Sequence, residues 1–431
     1  MSVLPEHFEY RNRVVDAEAE RLLRLLPTLV IEGPRGCGKT TTARRLAERE
    51  LLLETDPSAR GHAEHGTLPL GDGPYPLLID EWQLAPAAWN AVRHASDLLQ
   101  GPGRFILTGS ASPSDEVTRH SGAGRVARVR MRPMSLFESG DSTGDVSLGA
   151  LLDSGSCSAL NTRGHDPRSP DTQLRRVIDA LCRGGWPACG HLSPVEAQEF
   201  LHLYLEELCR VDVRRVKGTR HDPLLVRRAV TSLARNTATS PSGATLAADI
   251  GVQRPVAPDT LAGYLDALTR NFILEDQPAW TPQLRSRARL RRAPKRHLVD
   301  PALAVCALGA GPGQLFNDRE TLGFLFESLA VRDLRIYAGS AGATVSHYQD
   351  SNHLEVDIIV QRRDGAWLAA EVKLGRPAAV DQAAGALRRL RHQIDVDRMP
   401  EPAKLLVITA TGHAYERLDG IAVAPLTMLG P

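Results

Sequence analysis

The sequence predicts an α/β protein with a parallel sheet near its N-terminal end, followed by a helical region and a second α/β unit. Three observations support this prediction. Short apolar runs with β-branched residues alternate with helical stretches over about the first 135 residues. A glycine-rich turn joins the first predicted strand to the helix that follows it. From about Asp318 the order becomes helix, strand, strand, strand, helix, strand, which indicates a separate unit.

The predicted parallel sheet depends on three short buried strands. Residues 27–31, 76–79 and 105–108 are apolar runs, which is typical of strands that are covered on both faces. Between the last two runs, residues 87–99 carry apolar side chains at helical spacing. Strands that alternate with helices in this way favour parallel pairing.

The glycine-rich turn satisfies the phosphate-binding pattern G-x-x-x-x-G-K-[ST] in full. Glycines allow successive backbone N–H groups to approach a phosphate, and the following helix directs its positive end at the same anion. We expect Lys39 to reach the β- and γ-phosphates of ATP, and the Thr40 hydroxyl to bind Mg²⁺. The candidate nucleotide-binding residues are Gly33, Pro34, Arg35, Gly36, Cys37, Gly38, Lys39, Thr40 and Thr41.

The second half of the predicted site lies at the ends of neighbouring strands. Asp80 ends an apolar run and is expected to hold Mg²⁺, with Glu81 as the general base for the attacking water. Ser110 or Thr108, at the end of the next strand, could orient that water or contact the γ-phosphate. Arg125 is a candidate sensor of γ-phosphate charge. The alternatives are a solvated acidic cap for the two acids, a loop cap for Ser110 and a solvated surface position for Arg125.

The middle of the chain predicts a linker and then a DNA-binding fold. Residues 139–172 are rich in Gly, Ser, Asp and Pro with little periodicity, so we predict a loop or linker there. Later, a short helix, a turn, a longer helix capped near Asp259 and a strand follow in the order of a winged helix. A basic stretch comes next, and it favours contact with the DNA backbone, although a solvated hairpin or a protein-binding surface would also explain it. Its members are Arg285, Arg287, Arg289, Arg291, Arg292, Lys295 and Arg296.

Two predicted strands near the C-terminal end carry charged residues on one face. Alternation places Asp357 on the polar face of one strand, and Glu371 and Lys373 together on the other. Adjacent strands would bring them into the D…E-x-K pattern of metal-dependent nucleases, with Glu327 of the preceding helix as a further acid. Three interpretations are open: an active nuclease, an inactive nuclease-like scaffold, and a solvated sheet face.

Composition limits the classes of function. The formal net charge of +1 over 431 residues gives no overall attraction to nucleic acid or to an anionic membrane. No apolar run approaches the roughly 20 residues that span a bilayer, and the N-terminal stretch does not resemble a signal peptide. The six cysteines lack the paired spacing of a zinc site or a disulfide framework. We therefore expect a cytoplasmic protein with reduced thiols and no membrane partner.

Several motifs, taken in order, resemble those of bacterial and archaeal AAA-type ATPases that carry a C-terminal domain of unknown function. The resemblance rests on GPRGCGKTT, LLIDEWQ, FILTGSAS, HSGAGR and RPMSLFE, on GGWP at Gly184–Pro187, and on the later EVD and EVK motifs. It covers nearly the whole chain apart from the predicted linker. It implies a P-loop sheet in the additional-strand order, a winged-helix domain and a restriction-endonuclease-like C-terminal domain, and it brings no known substrate.

These inferences predict four parts: a P-loop ATPase domain (1–138), a linker or loop (139–172), a helical and winged-helix domain (173–300) and a nuclease-like α/β domain (301–431). The expected function is Mg²⁺-dependent binding and hydrolysis of ATP by a protein that acts on DNA or is regulated by it. The alternative is a nucleotide-dependent switch with an inactive nuclease-like domain, which binds a protein partner. A second copy of the chain is a further possible partner.

Overall fold

A computed structural model of the chain describes residues 10–70, 73–111, 122–160, 168–212, 222–282 and 292–431. These residues form two compact units, and the division falls between Met134 and Ser135. The predicted boundary between residues 300 and 301 is not observed, because the helical region and the C-terminal sheet belong to one unit. Within the described ranges, no helix is both long and apolar enough to cross a membrane.

The first unit is built on a five-stranded parallel sheet. The strands pair in the order β2-β3-β4-β1-β5, so β4 lies between β1 and β3, as the additional-strand class requires. Its elements are α1 (Val15–Leu23), β1 (Thr28–Glu32), α2 (Lys39–Leu46), β2 (Arg49–Leu52), α3 (Pro57–Glu64), β3 (Leu77–Asp80), α4 (Ala87–Leu99), β4 (Phe105–Gly109) and β5 (Val126–Arg130).

Both faces of this sheet are buried. Val30 of β1 packs in a cluster with Trp89 of α4, whereas its neighbours Leu29 and Ile31 pack with Ala43 of α2 on the opposite face. A strand that is covered on both faces needs apolar residues at successive positions. This requirement explains the continuous apolar runs from which β1, β3 and β4 were predicted, and the three predictions are confirmed to within one residue at each end.

The second unit combines a helical region with a mixed sheet. Its helices are α5 (Leu136–Ser139), α6 (Leu148–Ser154), α7 (Pro170–Arg183), α8 (Pro194–Glu207), α9 (Pro223–Arg235), α10 (Gly243–Ile250), α11 (Pro258–Arg270), α12 (Pro301–Leu308), α13 (Pro312–Asn317), α14 (Arg319–Ser340) and α15 (Pro377–Gln393). Its strands are β6 (Val146–Ser147), β7 (Ala343–Gln349), β8 (Glu355–Arg362), β9 (Trp367–Lys373), β10 (Lys404–Thr409), β11 (Tyr415–Glu416), β12 (Ala422–Pro425) and β13 (Leu429–Gly430).

The mixed sheet has six strands in the order β11-β12-β10-β9-β8-β7. The strands β7, β8 and β9 pair in antiparallel fashion, and β10 then adds in parallel to β9. Along the chain, α14, β7, β8, β9, α15 and β10 follow one another in the predicted order of helix, three strands, helix and strand. That part of the prediction is confirmed.

The interpretation of residues 139–172 as a linker or loop is wrong for much of the described part. The strand β6 pairs with β13, and α6 buries three leucines in the second unit. The polar and glycine residues that indicated a linker serve as caps: the Ser147 side chain accepts the N–H of Ala150, and Gly155 ends α6 with a φ of +64°. Residues 161–167 lie outside the described residues.

A buried arginine joins distant elements of the second unit. The guanidinium of Arg332 on α14 lies 2.8 Å from Asp300 Oδ2 and 2.7 Å from Asp333 Oδ1. The other oxygen of Asp333 accepts the N–H of Leu136, and Asp300 Oδ2 accepts the N–H of Gly185. The RPMSLFE and GGWP motifs therefore both supply backbone donors to one buried ion cluster.

Replacing Arg332 by Met should lower the free energy of unfolding of the second unit by about 3–5 kcal/mol, because two buried carboxylates lose their cation. The matched control is Arg398→Met, which removes an exposed arginine that lies 3.1 Å from Asp395 and should cost at most about 1 kcal/mol. Urea unfolding followed by tryptophan fluorescence measures both changes. Equal losses in the two variants would contradict this account of the Arg332 cluster.

Candidate functional site

The turn between β1 and α2 has a backbone that requires glycine. Gly36 and Gly38 have φ values of +74° and +106°, a region that residues with a Cβ rarely adopt. At Gly33 a Cβ would lie 2.0 Å from the carbonyl oxygen of Met131. The helix α2 begins at Lys39, directly after this turn, so the N–H groups of its first turn lack intrahelical acceptors. This end of α2 is suited to bind an anion.

Two cationic side chains lie against the turn. The Lys39 Nζ donates to the carbonyl of Pro34 at 2.9 Å, and the side chain is buried. Arg13, also buried, donates from Nη1 to the carbonyl of Cys37 at 2.8 Å and from Nη2 to the carbonyl of Arg132 at 2.7 Å. Sequence reasoning missed Arg13, because a lone arginine outside any motif carries no signal of its own.

Thr40 and Asp80 meet across the sheet edge. The Thr40 hydroxyl donates to Asp80 Oδ1 at 2.7 Å, and the hydroxyl of Thr108 donates to the same oxygen. Asp80 ends β3 and Thr108 lies on β4, so parallel pairing brings these two side chains to the edge of the sheet where α2, which carries Thr40, begins. Hydroxyl and carboxylate oxygens are ligands that Mg²⁺ prefers, so the side chains present here fit that ion.

Glu81 is held in a defined orientation next to this pair. Its φ of +55° and ψ of +45° are uncommon for a residue with a Cβ, and its backbone N–H donates to the Thr108 hydroxyl at 3.2 Å. The Ser110 hydroxyl donates to Glu81 Oε2 at 2.8 Å, and the Gln83 side-chain amide donates to the same oxygen. Gln83 was not predicted, although it lies within the LLIDEWQ motif.

Arg125 lies away from these residues. It precedes β5, and its carbonyl accepts the N–H of Thr28 at the start of β1. The phosphate-binding turn follows the other end of β1, roughly 13 Å away along a strand. The Arg125 side chain forms an ion pair with Asp97. The prediction that Arg125 senses the γ-phosphate is therefore wrong for a nucleotide bound in its own chain.

A second set of charged residues lies in a cavity of about 510 Å³ in the second unit. The structure brings together Glu327, Asp357, Glu371 and Lys373, the four residues predicted as a nuclease-like set. Glu355 and Lys295 line the same cavity. These six residues are called the acidic cluster below. Sequence reasoning assigned neither Glu355 nor Lys295 to it.

Lys295 is the central cation of the acidic cluster. Its Nζ lies 2.7 Å from Glu327 Oε1, 2.7 Å from Glu355 Oε1 and 3.5 Å from Asp357 Oδ1. Its side chain is only 5% exposed, so the prediction that Lys295 contacts DNA as part of the basic stretch is wrong. The neighbouring Arg296 forms an ion pair with Asp276. The arginines at positions 285, 287, 289 and 291 lie outside the described residues.

Burial and mutual repulsion set the protonation of the cluster. Burial, and then the charge of Asp357, raise the pKa of Glu327 and of Glu371 to about 8. Burial also acts to raise the pKa of Asp357, but Lys295, Lys373 and the N–H of Val372 together lower it below its ordinary value. Lys373 Nζ lies 2.7 Å from Glu371 Oε2 and 3.4 Å from Asp357 Oδ2. The acidic cluster therefore combines protonated and ionised carboxyl groups near neutral pH.

The acidic cluster, as arranged, does not fit a metal ion. Across the part of the chain that the structure describes, no group of three or more His, Cys, Asp or Glu side chains is arranged to hold one. In the cluster, the ammonium groups of Lys295 and Lys373 lie between the carboxylates instead. The D…E-x-K residues are thus together, but lysine nitrogens compensate their charge.

The sheet order, the glycine-rich turn and the Thr40–Asp80 pair define the first unit as a P-loop nucleotide-binding domain of the AAA type. Residues 26–139 match the family model described as AAA domain. Residues 174–314 and 322–429 match two further models, each described as a domain of unknown function (DUF8612 and DUF4143). The chain therefore joins an AAA domain to an additional C-terminal domain.

Two mycobacterial proteins are similar to nearly the whole chain. They are Uncharacterized protein Rv2008c of Mycobacterium tuberculosis and Uncharacterized protein Mb2031c of Mycobacterium bovis. Each is 26% identical over 418 residues, which are 96% of this chain and 83% of the relative. Their names state no function.

Two solved structures share a low overall similarity with the chain. The Walker-type ATPase PABY2304 of Pyrococcus abyssi has a TM-score of 0.42 at 13% identity, covering 71% of this chain and 99% of its own. The replication initiator DnaA bound to AMPPCP and single-stranded DNA has a TM-score of 0.24 at 15% identity, covering 59% and 86%. At these scores neither structure supports an argument about function.

The raised pKa values predict how stability depends on pH. A carboxyl group whose pKa is higher in the folded state binds more protons there, so the free energy of unfolding falls as pH rises from the unfolded value of 4.5 towards about 8. Glu371→Gln removes one such group and should make this fall shallower, leaving the contribution of Glu327. Urea titrations at several pH values measure the slope.

The control is Glu401→Gln, which changes an exposed glutamate of the same unit and should leave the slope unchanged. If the free energy of unfolding falls with pH as steeply in Glu371→Gln as in the wild type, the carboxyl group of Glu371 is ionised in the folded protein.

Proposed function

We propose that the first unit binds ATP with Mg²⁺ and hydrolyses it. The observation that carries the proposal is the 2.7 Å hydrogen bond between Thr40 Oγ1 and Asp80 Oδ1, directly beside the glycine-rich turn. When bound, Mg²⁺ would neutralise charge on the phosphate oxygens. Thr40 and Asp80 would hold it, while Lys39 would exchange the carbonyl of Pro34 for phosphate oxygens.

Glu81 would accept the proton of the attacking water. Ser110 and Gln83 both donate to Oε2 of Glu81, so they would fix the plane of the carboxylate and direct it at that water. Arg13 would keep the turn in place through its hydrogen bond to the Cys37 carbonyl. The side chains that act on the nucleotide thus come from the turn and from the ends of β3 and β4.

Lys39→Ala should abolish the stabilisation that ATP gives to the fold. ATP with Mg²⁺ at about 100 times its dissociation constant should raise the free energy of unfolding of the wild type by roughly 2.7 kcal/mol. Arg60→Ala, which removes an exposed cation that pairs with Glu64, is the control and should keep the full effect. Thermal unfolding with and without Mg·ATP measures the shift. Equal shifts in wild type and Lys39→Ala would refute nucleotide binding at the turn.

Glu81→Gln should retain the ATP-dependent stabilisation while the hydrolysis rate falls by about 10²–10⁴-fold, because the phosphate-binding groups stay and the proton acceptor is lost. Release of inorganic phosphate under saturating Mg·ATP measures the rate. A rate that equals that of the wild type would remove Glu81 from the mechanism while leaving the binding proposal intact.

We also propose that the second unit contains a winged helix that contacts DNA. The helices α9, α10 and α11 are followed by antiparallel bridges that join Leu274 to Leu298 and Gln277 to Lys295, and a further bridge joins Thr239, between α9 and α10, to Arg296. Three helices with such a small three-segment ladder are the pattern of a winged helix. The order of α14, β7, β8, β9, α15 and β10, with Asp357 and Glu371 on adjacent strands, likewise supports a restriction-endonuclease-like fold.

DNA binding should depend steeply on salt, because phosphate contacts release counterions. Fluorescence anisotropy of a labelled duplex at two salt concentrations measures this dependence. Replacing Arg285, Arg287, Arg289 and Arg291 by Ser should weaken binding and reduce the salt slope. Absent or salt-insensitive binding would instead favour the second candidate function, a nucleotide-dependent switch that binds a protein partner and has an inactive nuclease-like domain. The lysine-filled acidic cluster supports the inactivity of that domain.

A further inference from the structure

Three carboxylates of the acidic cluster converge on one point, and an ammonium group occupies that point. Oxygens of Glu327, Glu355 and Asp357 converge on Lys295 Nζ at 2.7, 2.7 and 3.5 Å. An ammonium group has three N–H donors, and three carboxylates surround it. Carboxylates that converge on one point from a helix and a strand are also how proteins hold a hard divalent cation.

The position of Lys295 is fixed by the fold. Its backbone N–H and carbonyl both pair with Gln277, at 3.1 and 2.9 Å. The Gln277 side chain, fully buried, donates to the carbonyls of Ser346 and Asp357, at 3.0 and 2.9 Å. These bonds tie the segment that carries Lys295 to β7 and β8, so the ammonium group reaches the carboxylates from an anchored backbone.

His347 is an independent indication that the cavity can take a ligand. It lines the same cavity, and its side chain is 1% exposed. Among the described residues, neither ring nitrogen makes a hydrogen bond of normal geometry, although the backbone of Ala293 lies close enough to act on the ring and to raise its pKa. Burial, and then the charge of Lys295, lower the pKa of His347 to about 4, so the imidazole is neutral at physiological pH. A neutral imidazole is a common metal ligand, and a buried one without a hydrogen bond of normal geometry leaves a donor and an acceptor unsatisfied.

We propose that Lys295 is an internal cation that fills a latent divalent-cation site at Glu327, Glu355 and Asp357 and excludes metal from it in the wild-type protein. The ligand class is a hard divalent cation such as Mg²⁺ or Mn²⁺. In the wild type, the ammonium groups of Lys295 and Lys373 balance two of the four cluster carboxylates. Without Lys295, the ammonium group of Lys373 alone would balance the ionised carboxylates of the cluster, and a divalent cation would be the natural replacement.

The test uses Mn²⁺ as the probe and the full chain without nucleotide. Lys295→Met keeps most of the unbranched side chain and removes its charge. This variant should bind one Mn²⁺ more per chain than the wild type in isothermal titration calorimetry. It should unfold at a lower temperature than the wild type in EDTA and recover much of that loss in Mn²⁺. Adding Asp357→Asn to it should remove the extra Mn²⁺, which places the ion in the acidic cluster.

The matched control is Lys404→Met. Lys404 is also buried in the second unit, but its Nζ pairs with the single carboxylate of Glu416 at 2.6 Å. This variant should lose stability without recovering it in Mn²⁺. An Lys295→Met protein that binds no more Mn²⁺ than the wild type would overturn the proposal.

If Lys295→Met does not fold, Mn²⁺ binding by the wild type is compared with that of the single variant Asp357→Asn. The two proteins should bind equal amounts of Mn²⁺, because Lys295 already excludes the metal. A wild type that binds more Mn²⁺ than Asp357→Asn would show that the cluster accepts metal with Lys295 in place, and it would overturn the proposal.

Discussion

The first unit depends on one constraint: parallel strands must end at the same edge of the sheet. Because β4 lies between β1 and β3, that edge carries the glycine-rich turn, the acid that ends β3 and the hydroxyl groups at the end of β4. The hydrogen bond from Thr40 to Asp80 closes the arrangement across the intervening strand. Thr108 donates to Asp80 as well, and it accepts the N–H of Glu81, so the positions that we propose to hold metal and to activate water are fixed together.

Buried ion pairs connect the elements of the second unit. A buried charge without a partner costs several kcal/mol, so each one specifies the elements that must meet around it. Arg332 gathers backbone segments from two distant motifs through Asp300 and Asp333. Lys295 does the same for the nuclease-like carboxylates. The Arg332 cluster gives a structural role to motifs that have no catalytic residues. The acidic cluster shows why residues with a nuclease pattern do not by themselves make a metal site.

The sequence predicted those elements whose burial forces a distinctive pattern. The strands β1, β3 and β4 are covered on both faces, so their sequences are continuous apolar runs. The strands β2 (RELL) and β5 (VARVR) lie at the sheet edges and carry charged residues, and they were not predicted. The linker prediction failed because capping residues resemble loop residues. Lys295 and Arg13 were missed or misplaced because their partners lie far away in the sequence, and no local pattern distinguishes a buried cation from an exposed one.

The central claim is that Thr40 and Asp80 would hold the Mg²⁺ ion that accompanies ATP at the glycine-rich turn. The most direct measurement is the affinity for ATP by isothermal titration calorimetry, in Mg²⁺ and in EDTA, for the wild type and for Thr40→Val. Valine keeps the shape of threonine and removes the hydroxyl oxygen. The wild type should bind ATP much more tightly in Mg²⁺ than in EDTA, and most of this difference should disappear in the variant. An affinity that is the same with and without Mg²⁺ in both proteins would contradict the account.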